Sequence, residues 1–186
     1  MSPDSIEIPT LLTERLRLRP FRRSDVDDYA AMNADPEVQR HMGEPWDRGR
    51  SWRHMAFIVG HWQLKGCGPW AVELKGDGTF VGTVGFYEPE GWPGFELAGC
   101  LARRWWGHGF ATEAARAALD QAFTVWKRDR VISLVNPENR RSVRVVERLG
   151  ERLEGRADLL GREMLAYAID RETWLSRPRR ESLLAS

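Results

Sequence analysis

Residues 96–114 read Glu96-Leu-Ala-Gly-Cys-Leu-Ala-Arg-Arg-Trp-Trp-Gly-His-Gly-Phe-Ala-Thr-Glu-Ala114, and the change of pattern inside this stretch decides the fold. The segment from Phe95 to about Leu101 reads as a strand, and an alanine-rich helix begins near Phe110 and runs through Trp126. A turn containing Gly107 and Gly109 joins them. At such a helix start the first backbone N–H groups have no partner within the helix. Glycine lets that backbone approach an anion without an obstructing Cβ, and the helix dipole adds partial positive charge. A pyrophosphate is the natural guest. Two common nucleotide-binding turns do not fit: Thr112 stands where a dinucleotide fingerprint needs its third glycine, and no Gly-Lys-Ser/Thr follows.

Working outward, Arg15–Pro20 alternates with the two-residue period of a strand and stops at proline. Ser24 offers an N-cap for a short helix that carries Val26, Tyr29, Ala30 and Met32 and closes between Asn33 and Pro36. Between Asp47 and Lys65 the apolar residues Trp52, Met55, Ala56, Val59 and Trp62 recur at helical spacing, which predicts a second helix. Trp70–Leu74 and Phe80–Tyr87, joined by Lys-Gly-Asp-Gly, predict a hairpin. A Pro/Gly-rich loop spans Glu88–Gly94. Beyond the central helix, Val131–Val135 reads as a strand, Asn139–Leu149 as a helix stopped by Gly150, and Met164–Ile169 as a closing strand. No repeat or linker interrupts the order, so 1–186 reads as one mixed α/β (α+β) domain with its core over about 10–175 and a loose tail over 176–186.

The 28 basic and 27 acidic side chains give a formal net charge of +1, so no global field exists to hold a nucleic acid or an anionic membrane. The short Arg177-Pro-Arg-Arg run does not supply the basic, aromatic-interleaved stripe of a nucleic-acid module. Cys67 and Cys100 are the two cysteines and show no metal or disulfide spacing; His54 and His61 lie seven apart, which is no metal pair. No metal is assigned. The first residues lack a basic segment followed by an apolar core, and no apolar run is long enough to span a bilayer. These features fit a protein of the reducing cytoplasm.

Three segments resemble one family. Arg104-x-x-Gly107-x-Gly109 resembles the Arg/Gln-x-x-Gly-x-Gly/Ala signature of GNAT-superfamily N-acetyltransferases, with Leu101 at the apolar strand end. Residues 96–114 resemble, without gaps, the corresponding pattern of the RimJ/RimL-like subgroup, the ribosomal-protein N-terminal acetyltransferases. Thr13-Glu-Arg-Leu-Arg-Leu-Arg-Pro20 and Asn136-Pro-Glu-Asn139-Arg-Arg-Ser142 with Leu149-Gly150 resemble the same subgroup. The resemblance covers most of residues 13–174. It implies a GNAT fold: a twisted, mostly antiparallel sheet of about seven strands flanked by about four helices, with a splay between two parallel central strands. It also implies acetyl-CoA as co-substrate. The pantetheine would pair with the strand edge Gly99-Cys100-Leu101, the pyrophosphate would sit on Trp106, Gly107, His108, Gly109, Phe110, Ala111 and Thr112, and Arg104 belongs to the signature. Asn139 and Ser142 would touch the coenzyme, with Asn139 also suited to capping its helix.

Acetyl transfer to an amine needs a neutral nucleophile, a polarised carbonyl and a proton for the leaving thiolate. Glu96 lies where the family often places a general base, and its ordinary alternative is a salt-bridged strand residue. Many members carry a tyrosine acid four residues before the Leu-Gly glycine. Here that position is Val146, and Ser142 becomes the candidate donor to the sulfur, its ordinary alternative being a residue that only starts a helix. Ala98-Gly99 replaces a Gly-aromatic pair, and Arg103 replaces a common proline, so the backbone near the pantetheine and the acyl pocket are expected to depart from the subgroup's pattern. His108 could meet a phosphate or simply face solvent. Trp46, Trp52 and Trp62 lie in the two-helix region that walls the acceptor side. They could form core, line an aromatic acceptor pocket, or cover the contact of a homodimer. The function expected is acetyl transfer from acetyl-CoA to a primary amine, either a protein N-terminal α-amine or a small amine, in a ternary complex. A non-catalytic acyl-CoA-binding or sensor protein of the same fold is the alternative.

Overall fold

The computed structural model describes residues 6–177, and they form one eight-stranded sheet. The strands are β1 (Leu11–Leu12), β2 (Leu16–Arg19), β3 (Pro69–Leu74), β4 (Phe80–Tyr87), β5 (Glu96–Leu101), β6 (Arg130–Val135), β7 (Arg152–Leu159) and β8 (Arg162–Asp170). Their spatial order is β1-β2-β3-β4-β5-β6-β8-β7. Every neighbouring pair is antiparallel except β5 and β6. The helices are α1 (Val26–Asn33), α2 (Pro36–Gln39), α3 (Arg48–Lys65), α4 (Phe110–Asp120, continued by a π turn over Gln121–Val125), α5 (Arg140–Leu149) and α6 (Arg171–Leu175). None is long and apolar enough to cross a membrane among the described residues.

Alternation along β5 sorts the two faces of the sheet. Leu97 and Leu101 point into the main core with Ala114, Ala115 and Ala118 of α4. Glu96, Ala98 and Cys100 point the other way, toward α1 and α3. Register confirms this second face, because Glu96 lies opposite Tyr87 on β4, and the Tyr87 ring meets His54, Phe57 and His61 of α3. The π turn ends with Trp126, whose ring packs on Trp62, Trp70, Phe86 and Phe95.

Several expectations change in detail. Ser24 does not cap α1. It sits in a 3-10 turn over Arg23–Asp25, and the carboxylate of Asp25 instead accepts the Arg22 N–H and both outer nitrogens of Arg19. Chain closure at Asn33–Pro36 is followed at once by α2, because Asp35 caps it and Pro36 occupies its first position, where a missing N–H costs nothing. Of the three tryptophans offered as an acceptor wall, Trp62 is core and Trp52 is 53% exposed, so Trp46 is the one that stays near the site. In the expected tail, Ser176 follows α6, and Arg177 donates to the carbonyls of Leu149 and Gly150; residues 178–186 lie outside the described residues.

The feature that positions the site is the junction of β5 and β6. β5 pairs with β4 along its whole length, and β6 does the same with β8. Between themselves the two parallel strands share one register pair, Glu96 with Ile132, sealed by Ile132 N–H donating to the Phe95 carbonyl at 3.0 Å. One residue further, the Ser133 hydroxyl rather than a backbone group reaches the Leu97 carbonyl, at 3.2 Å. From there the strands part, leaving a slot that is closed at Glu96 and opens toward the strand C-termini.

Candidate active site

Both helices that follow the splayed strands begin at its open end, since β5 leads into α4 and β6 into α5. On the α4 lip, Gly107 and Gly109 have φ of 82° and 81°, a left-handed conformation that side chains disfavour. The first intrahelical bond of α4 runs from Glu113 N–H to the Gly109 carbonyl, so the N–H groups of Phe110, Ala111 and Thr112 precede the helical ladder. No side chain caps them. A Cβ built on Gly107 would meet nothing within 4 Å. The conformation, not crowding within the protein, is what demands glycine there.

This cradle is braced by the N-terminal segment. Glu113 accepts from the Thr13 hydroxyl (2.6 Å), the Arg15 N–H (2.9 Å) and Arg15 Nε (2.7 Å), and the Arg15 guanidinium lies 4.6 Å from the Phe110 ring centroid. Two segments a hundred residues apart in sequence are therefore one structural unit.

The residues expected to touch the coenzyme are distributed unevenly. Leu101 faces the core, and its carbonyl already accepts from Trp106 Nε1 at 2.8 Å. Gly99 is exposed at the slot, and a Cβ on it would lie 2.9 Å from Val84 Cγ2. Cys100 is half-buried on the Glu96 face, where burial pushes its thiol up to about 12. Arg104 turns away from the cradle: its Nη2 lies 3.5 Å from the Phe80 carbonyl and its guanidinium is over Trp105. His108 is exposed, donates Nδ1–H to the Trp106 carbonyl at 3.0 Å and stacks on Phe110.

On the α5 lip, Asn139 caps the helix by accepting the Ser142 N–H at 3.1 Å. Arg141 crosses the mouth and stacks on the Trp106 ring at 4.3 Å. A groove of about 500 Å³ at this mouth is lined by Arg40, Arg140, Arg141 and Arg144 together with Glu37 and Glu138, so its arginines outnumber its carboxylates. Ser142, in the first turn of α5, stands nearer this open end than Glu96 does. Val146 is buried in an apolar cluster with Val135 and Tyr167.

At the closed end Glu96 is 4% exposed. Burial raises its carboxyl to about 7, against the opposing pull of a 2.5 Å hydrogen bond from Trp92 Nε1 and of the Leu134 N–H. A carboxyl poised there can hold or release a proton near neutrality. Around it, Tyr29 bonds His54 Nδ1 through its hydroxyl at 2.7 Å, and burial followed by the Arg50 charge depresses His54 to about 4. Sequence reading missed Tyr87 and Trp92 as members of this site. The signal was available for Tyr87, because hairpin register places the last residue of β4 opposite the first of β5.

A second buried carboxyl was also missed. Glu151, 4% exposed, follows α5, and its carboxylate oxygens have no hydrogen-bond donor. Ser133 lies against it, but that hydroxyl's single proton goes to Leu97. Burial pushes Glu151 up to about 7. Among the described residues no group of three or more His, Cys, Asp and Glu could hold a metal ion.

Comparison with known proteins agrees with this geometry. A family model described as an acetyltransferase (GNAT) domain matches residues 15–152. The uncharacterized N-acetyltransferase p20 of Bacillus licheniformis is 32% identical over 149 residues, 78% of this chain and 84% of that protein. An acetyltransferase structure from Agrobacterium tumefaciens str. C58 superposes with a TM-score of 0.81 at 33% identity, covering 89% of this chain and 96% of that one. Mycobacterium smegmatis RimJ in complex with CoA-disulfide gives a TM-score of 0.70 at 26% identity over 92% and 91% of the two chains.

Proposed function

The chain belongs to the GNAT acetyltransferase family, and on that premise we propose that it carries an acetyl group from acetyl-CoA directly to a primary amine within a ternary complex. The observation that supports this reading most is the placing of a buried, near-neutral carboxyl, Glu96, at the closed end of a slot whose open end carries the glycine cradle. Acetyl-CoA supplies a thioester carbonyl as electrophile and a thiol as leaving group. The residues fit such a ligand: the β5 edge from Ala98 onward has no partner strand on the β6 side and suits the amides of an extended pantetheine, and the N–H groups near Gly107–Thr112 suit a pyrophosphate.

In this reading the ionised Glu96 accepts the proton of the incoming amine, while Trp92 Nε1–H and the Leu134 N–H hold the carboxylate in place. The Ser142 hydroxyl donates toward the sulfur, in the place left by Val146. Asn139 fixes the turn that presents Ser142. The acceptor is either a protein N-terminal α-amine, as in the ribosomal-protein enzymes the chain resembles, or a small amine.

The test is an acetyl-CoA-dependent thiol-release assay over peptides with varied first residues and a panel of small amines. Turnover of at least one amine is expected, with Ser142→Ala lowering kcat about tenfold to a thousandfold at nearly unchanged CoA affinity. Tight CoA binding without turnover of any amine would overturn the reading and leave a coenzyme-binding protein.

A further inference from the structure

The wall beside Glu96 is made of rings. His54 touches Trp46, Phe57, Tyr29 and Tyr87 at centroid distances of 4.9, 5.7, 6.2 and 6.2 Å, and Tyr87 continues the series to Trp92 at 6.4 Å. Two of these rings meet the carboxyl's position: Tyr87 is the partner of Glu96 in register, and Trp92 donates to it. The surface is not closed over as core would be. Phe57 is 42% exposed, and Trp46, His54, Tyr87 and Trp92 are half-buried. Phe57 and Tyr87 are within 8° of parallel with centroids 6.4 Å apart, too far to cover each other face to face.

Charge narrows the occupant further. His54 is neutral near pH 7, and the charged side chain that lies over the Trp46 ring, at 4.6 Å, is the Arg50 cation. Glu96 is the carboxyl that meets the rings. One anion suits one ammonium; a polyamine would set its further ammonium groups beside Arg50.

We propose that the acceptor is a primary amine joined by a short chain to an aromatic ring, the ring lying against Phe57 and Tyr87 and the nitrogen reaching Glu96. This rests on the amine-transfer reading above and names the substrate class for it. A free arylalkylamine and a peptide beginning with phenylalanine share that chemistry.

The experiment compares phenethylamine, a phenylalanine-led tetrapeptide, an alanine-led tetrapeptide and spermidine at saturating acetyl-CoA. A ring-bearing acceptor is expected to exceed the alanine-led peptide and spermidine in kcat/KM by about tenfold or more, and whichever of the two ring-bearing arms is faster identifies the source. Phe57→Ala is expected to raise KM for the better ring-bearing acceptor roughly tenfold while kcat moves little. Without acetyl-CoA, phenethylamine should change the tryptophan fluorescence of the protein saturably, and Phe57→Ala should weaken that titration by a similar factor. Preference for spermidine or the alanine-led peptide, or a KM that Phe57→Ala leaves unmoved, overturns the inference and leaves amine transfer standing. No turnover of any amine overturns both.

Discussion

Glu96 and Glu151 are both buried carboxyls raised to about 7, and they differ in what surrounds them. Glu96 has two donors and a place at the end of the slot, the setting from which it is proposed to act as the base. Below about pH 7 it is protonated and cannot accept a proton; kcat/KM for an amine is therefore expected to rise with pH through that value. Glu96→Gln should remove this inflection and lower the rate, measured as initial rates from pH 5.5 to 9. An unchanged profile would show that Glu96 is not the base. Glu151 bears on stability instead. Its folded value lies above the ordinary 4.5, so whatever favours the folded state is fully present below 4.5 and lost as pH rises through 7. The loss is at most roughly 3 to 4 kcal/mol, taking about 1.4 kcal/mol for each unit. Glu151→Gln, whose amide can donate to the Ser133 oxygen, should match wild type in urea midpoint near pH 4.5 and exceed it at pH 8. Equal midpoints at pH 8 would mean that the charge finds a partner such as Arg177. The position of Glu96 on the strand beside the slot was legible in the sequence because the motif around it is local. Glu151 was not, since burial of an acid one residue past a helix-ending glycine depends on how α5 lies over β6.

The glycine cradle and the N-terminal turn form one element in space, although the sequence presents them as separate motifs. Thr13 and Arg15 meet at Glu113, which ties the first turn of α4 to the entry of β2. Glu113→Ala is expected to lower stability by about 1–2 kcal/mol through lost charge-assisted hydrogen bonds, and to weaken CoA several-fold by loosening the cradle. Glu113→Gln should keep part of both. Gly107→Ala places a methyl in open space at φ 82°, so it should cost about 1 kcal/mol in folding and more in CoA affinity, read by calorimetry. Normal CoA affinity in that variant would put the coenzyme elsewhere. The strand around β2 was legible from its alternation, and the β3–β4 hairpin from two apolar, β-prone runs around a glycine turn, both strands being buried almost throughout; α3 was legible as a helix but not in its buried face, which carries Ser51, Met55, Ile58, His61 and Trp62 and leaves Trp52, Ala56 and Val59 exposed. β7 was not legible, because it is an edge strand with largely exposed side chains and a bulge near Gly155, so no burial period marks it. The short α2 was hidden by Pro36, which reads as a stop and acts here as a first helical residue.

At the scale of the molecule, the slot divides the sheet into two halves that share few bonds along β5 and β6. Side chains supplement that junction from both lips: Ser133 to Leu97 near its closed end, and Arg141 on Trp106 at its mouth. Farther out, Arg162 of the β7–β8 hairpin donates to the Met42 carbonyl at 2.8 Å and ties the far edge of the sheet to the α2–α3 loop. A ligand filling the slot should stabilise both halves together. CoA is expected to stabilise the fold by about 2.7 kcal/mol at a hundredfold excess over Kd, with Tm rising with the logarithm of its concentration, whereas NAD or inorganic phosphate at the same concentration should do much less. A flat response to millimolar CoA would remove the central support for the slot as its site. The same opening has a consequence for solubility. An unpaired strand edge ordinarily recruits strands from other molecules, and proteins shield their outermost strands against it. Here the free edge of β5 lies in the interior of the sheet, between the α4 and α5 lips. A slender extended chain can enter that cleft, while the broad edge of another folded molecule is kept out, so the protein can hold backbone groups ready for a ligand without inviting intermolecular β-aggregation.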